Sequence, residues 1–89
     1  MQVRNMQSSN GNDVPNQFIL TGDDGSETFQ SYTSAIARRD ADGSVTLDEN
    51  SWDHSKTTGK YRNLFLGETK KETEAKIKSG EYTLANLNK

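Results

Sequence analysis

The 89 residues carry 29 % hydrophobic and 27 % charged side chains, a formal net charge of −2 and no cysteine. That length supports one small domain with a thin core, and the lack of cysteine excludes disulfides and thiolate metal sites. No run of about 18 apolar residues could cross a bilayer and no apolar leader follows Met1, so the chain reads as a soluble intracellular protein.

Residues 1–16, "MQVRNMQSSNGNDVPN", are rich in Asn, Gln, Ser and Gly and lack apolar periodicity. They read as a flexible N-terminal arm, and residues 17–89 as a single α+β domain. Order is expected to begin with a short strand at "QFIL", residues 17–20. "TGDDGS" supplies the residue types of a tight turn. "ETFQSYTSAIARR" is aromatic and β-branched enough for one strand, with a bulge near Ser31 where the alternation of Phe29 and Tyr32 fails. "DADG" turns again, and "SVTLD" alternates Val45 and Leu47. Together these segments predict a three-stranded antiparallel meander.

Beyond Trp52 the period changes. Tyr61, Leu64 and Phe65 at i, i+3 and i+4 predict a helix capped by Ser55, Thr57 or Thr58 and ended by Gly67. Thr69 with Glu72 forms a capping-box signature for a second helix, supported by Glu72–Lys76 and Glu74–Lys78 and stopped by Gly80. Tyr82, Leu84 and Leu87 predict a last strand or an extended tail returning to the core. The expected fold is a small antiparallel sheet of three to four strands packed against two short helices. Its core should bring Trp52, Tyr61, Leu64 and Phe65 against Phe29, Ile36, Val45 and Leu47.

The stretch "DADGSVTLDE", residues 40–49, matches the back ten positions of a calcium-binding EF-hand loop, with Asp40, Asp42, Gly43, Val45 and Glu49 in register. Arg38, a permanent cation, falls at the first ligand position, so a β-hairpin turn is the expected reading and no metal is expected there. His54 is the only histidine. Its neighbour Asp53 points away from it on an extended chain. No nucleophile elbow or Walker sequence occurs, so an enzyme is not expected and no cofactor is implied.

Charge is divided along the chain. Residues 1–53 hold three arginines against nine carboxylates, and residues 54–89 hold eight lysines and arginines against four glutamates. Within the second half, Lys56, Thr57, Thr58, Lys60, Tyr61, Arg62, Lys70 and Lys71 cluster around a helix start and a helix–helix turn. Basic residues beside a helix N-terminus suit an anion, and interleaving with Tyr61 suits a nucleic acid or nucleotide. The same residues could instead meet a protein partner. A core this thin also leaves room for homo-oligomerisation.

The motifs Phe-x-Ser-Tyr at 29–32, Trp-Asp-x-Ser-x-Thr-Thr-x-Lys-Tyr-Arg at 52–62 and Phe-Leu-Gly at 65–67 resemble a small, largely uncharacterised domain met in bacteriophage and mobile-element genomes. The resemblance runs from about Gln17 to Asn88. It implies an accessory binding protein acting in the cytoplasm of a host bacterium by occluding a host protein or complex, including inhibitors of CRISPR and other defences. It carries no assigned catalytic residues. A nucleic-acid or nucleotide module and a divergent EF-hand protein are the alternatives.

Overall fold

The computed structural model describes residues 1–88. Six strands, β1 (Gln2–Gln7), β2 (Asp13–Thr21), β3 (Glu27–Ser31), β4 (Ser34–Arg39), β5 (Val45–Asp48) and β6 (Tyr82–Ala85), form one sheet in chain order. The first five make an antiparallel meander, and β6 joins β5 in parallel. A parallel pair needs a long crossover, which α1 (Lys56–Leu66) and α2 (Lys70–Ser79) provide. The chain is therefore α+β with two helices, as expected, but the sheet has six strands.

The extra strands correct the reading of residues 1–16 as a flexible arm. This segment folds without an apolar stripe because the pairing and polar side chains hold it. Asn5 Nδ2 donates to the Val14 carbonyl at 3.0 Å, and Met6 and Val14 pack on the core. Ser8 N–H donates to Asn12 O, closing a turn that contains Gly11 at φ 80°. The Asn10-Gly11 pair is the sequence signal for this hairpin. Pro15, which cannot donate to a ladder, sits where the β1–β2 register jumps, between the pairs Asn5–Phe18 and Gln7–Asp13.

The predicted strand at 27–39 is a hairpin. Tyr32 and Thr33 turn between β3 and β4, with Tyr32 at φ 56° and its N–H donating to Asn16 O at 2.7 Å. The turn contains no glycine, so its sequence gave no turn signal. The register irregularity expected near Ser31 falls between Phe29 and Gln30. "DADG" is the second expected turn: Gly43 N–H donates to Asp40 O, Asp40 N–H to Ser44 O, and the flanking segments are strands. Arg38 pairs with Asp40 at 3.1 Å, and Asp42 accepts from Ser44 N–H.

Both helices form as their caps predict. Ser55 Oγ accepts from Thr58 N–H, and Gly67 ends α1 at φ 72°. Thr69 and Glu72 make the full capping box of α2, which Gly80 closes at φ 85°. The core lies on the helix-bearing face. Ile19, Phe29, Ile36 and Tyr61 make one cluster, Ala37, Val45, Leu47 and Tyr82 a second, and Phe65 touches both. The opposite row, Val3–Leu20–Thr28–Arg38–Thr46–Thr83, is half-buried or exposed.

The core expectation fails at one residue. The inward side of α1 carries Thr58, Tyr61 and Arg62, all buried, with half-buried Phe65 one turn on, while Leu64 is 56 % exposed. An apolar count sees Leu64 and misses Thr58 and Arg62, so it rotates the helix to the wrong face.

Two buried carboxylates fix the returning chain. Asp48 accepts from the backbone of Asn50, Ser51 and Leu87 and from Ser51 Oγ. Glu68 accepts from Tyr82 Oη at 2.8 Å and Lys76 Nζ at 2.7 Å, and also from Thr73, tying α2 and β6 to the helix–helix turn.

Candidate functional site

A groove of about 740 Å³ lies between the β1–β2 ribbon and α1. It exists because α1 packs on β3 and β4 and reaches the buried Ile19 of β2, leaving the same face of β1 open beside it. Its apolar lining is Met6, Ile19, Leu64 and Phe65. Across its floor Arg4 and Arg39 each lie 3.5 Å from Glu27. Arg39 is fixed further by a 2.7 Å bond to the Phe65 carbonyl and by stacking 4.8 Å from the Phe65 ring. Two guanidiniums thus share one carboxylate at long range and retain unused N–H donors. An apolar slot beside them suits an apolar side chain flanked by an acidic group.

The basic cluster divides. Lys56, Lys60, Arg62 and Lys70 line a separate pocket of about 510 Å³ with Asp53, Ser55, Gly59 and Asn63. Lys71 instead lines a hollow beside Trp52 and Ile77. Thr57 is exposed on the first turn of α1, whereas Thr58, Tyr61 and Arg62 are buried.

Arg62 is a structural clasp. It donates to the Trp52 carbonyl at 2.6 Å, to Asp53 at 3.3 Å and to Asn63 Oδ1, and its guanidinium lies 5.2 Å from the Trp52 ring. Asp53 also holds Lys70 at 2.7 Å. The hydrogen bond from Lys70 is the main reason the Asp53 carboxyl sits below the ordinary aspartate range; burial opposes it and the Arg62 contact adds to it. Lys56 and Lys60 make no ion pair among the described residues, and α1 has no acidic residue in its first turn. An anion could meet them there, on a smaller positive surface than the sequence cluster implied.

His54 and Asp53 form no hydrogen bond with each other, and no three His, Asp or Glu side chains converge on a metal-sized site among the described residues. No helix among them is long and apolar enough to cross a membrane. Sequence reasoning missed Arg4, Met6, Glu27 and Arg39 as site residues. Their shared feature is position on one face of adjacent strands, visible only once β1 is known to pair with β2.

Residues 1–81 match a family of unknown function, DUF8033, and the chain belongs to that family. The match begins at the first residue, so it includes the β1–β2 hairpin that the Gln17–Asn88 resemblance left out. No curated protein and no solved structure shows a match.

Proposed function

We propose that this is a non-enzymatic accessory binding protein of phage type, acting in a host bacterium by docking on a host protein or complex and occluding it. The anti-defence inhibitors implied by the sequence resemblance are one form of that activity. The observation that carries the reading is Leu64: a leucine 56 % exposed at the rim of a groove whose walls are Met6, Ile19 and Phe65 and whose floor offers Arg4 and Arg39. Such an edge fits a partner segment with an apolar anchor and a neighbouring carboxylate.

A second reading is supported by the pocket at Lys56, Lys60 and Lys70, which suits a nucleotide or nucleic-acid phosphate. Capture from bacterial lysate with and without nuclease separates the two. The docking reading expects a protein partner that survives nuclease treatment. Recovery of nucleic acid alone, with every protein lost on digestion, would replace it with the second reading.

A further inference from the structure

Among the described residues β1 pairs on one side only, leaving a six-residue edge, Gln2–Gln7, with an unpaired row of backbone donors and acceptors. Natural sheets usually protect such an edge with lysines, prolines or shortness. β1 contains no lysine and no proline, and Arg4 is its sole charge. The other edge strand, β6, has four residues.

We propose that a second copy of this chain pairs antiparallel with β1, Asn5 facing Asn5 of the second copy across a twofold axis, to make one continuous twelve-stranded sheet. The register follows from symmetry and charge. A twofold axis perpendicular to the sheet keeps the helices of both copies on one side, so facing residues must have the same parity in sequence. The axis then passes midway between two facing copies of one residue. Centred on Arg4, the pairing sets two arginines directly opposite each other about 5 Å apart, a repulsive arrangement. Centred on Val3 or Met6, it engages only Gln2–Arg4 or Asn5–Gln7 of the strand. Centred on Asn5, it engages Val3–Gln7, and Arg4 lies opposite Met6 of the second copy. Arg4 and Met6 both line the groove. The two grooves therefore run together, and each copy contributes an arginine to the edge of the other's slot.

The absence of cysteine makes the register directly readable. In Asn5→Cys the two thiols belong to directly opposed residues, whose Cα atoms about 4.5–5.5 Å apart lie within disulfide range. Val3→Cys faces Gln7 of the second copy and lies too far from its own counterpart. Mild oxidation should convert most of Asn5→Cys, and little of Val3→Cys, to a covalent dimer. Sedimentation of the unmodified chain should give twice the 9.9 kDa chain mass.

A second pair of variants changes two exposed residues, Val3 and Gln7, and gives up only the 3.3 Å bond from Gln7 to Asp13. Val3→Lys with Gln7→Lys should raise the dimer dissociation constant about tenfold, and Val3→Lys with Gln7→Glu should restore it. A 9.9 kDa species at every concentration, crosslinking at Val3 as readily as at Asn5, or indifference to the sign of residue 7 would each overturn the proposal. Host-partner docking is read separately, since a Leu64 variant can lose the partner and keep the dimer.

Discussion

Asp48→Ala is expected to remove about 3 kcal/mol or more of stability, a large share of what a domain this small possesses. The carboxylate is buried, with 1 % of its surface exposed, and four hydrogen bonds converge on it. Its removal leaves the N–H groups of Asn50, Ser51 and Leu87 without their acceptor. It also releases the segment after β6 from the end of β5. Acid should have the same effect more gradually. Burial pushes the Asp48 carboxyl up, but the bonds from Ser51, Leu87 and Asn50 outweigh it and hold the pKa below the ordinary 3.8. Glu68 behaves alike: burial raises it, and Lys76, Thr73 and Tyr82 bring it below the ordinary 4.5. A carboxylate depressed in the folded state contributes stability that is present above its unfolded pKa and lost as pH falls through its folded value. The melting temperature should therefore be flat between about pH 5 and pH 8 and drop below about pH 4. Thermal melts followed by circular dichroism check both points, and Asp48→Asn should show a shallower acid limb than the unsubstituted chain.

Phe29→Ala should cost about 3–5 kcal/mol, because the ring is fully buried between the sheet and α1 and meets Phe65 at 6.0 Å. Leu64→Ala, by contrast, should change stability by less than about 1 kcal/mol. Denaturant titration of the two variants distinguishes this packing from the sequence expectation, in which Leu64 was a core residue. Comparable losses for both would mean that α1 is rotated from the position described.

The contrast between Phe29 and Leu64 also shows what could be read in the amino acids. Elements announced by local chemistry were legible: Ser55 as one of three cap candidates, the caps Thr69 and Gly67, the capping box, the Asp40–Gly43 turn, a strand or extended tail after Gly80 and the buried strand residues Phe29, Ile36, Val45 and Leu47. Features held by distant partners were not. β1 is stabilised by pairing with β2 and by Asn5 reaching Val14, and its composition resembles that of an unfolded segment. Arg62 looks like a surface cation until Trp52 and Asp53 are folded around it. The basic pocket was legible in part: the start of α1 places Lys56 and Lys60 together, whereas Lys70, the first residue of α2, joins them through its pair with Asp53. The groove needed Arg4, Glu27, Arg39 and Leu64 from four elements, and no spacing along the chain records that arrangement.

Docking through the groove is tested most directly by capturing partners from bacterial lysate with Leu64→Glu beside the unsubstituted protein and a Lys56→Glu, Lys60→Glu variant. Leu64 is exposed, so its replacement leaves the melting temperature close to that of the parent, and a lost interaction reports the surface alone. The account predicts that Leu64→Glu abolishes capture of the nuclease-resistant partner and that the lysine variant retains it. Full capture by Leu64→Glu, with loss in the lysine variant, would contradict it and move the binding surface to the start of α1.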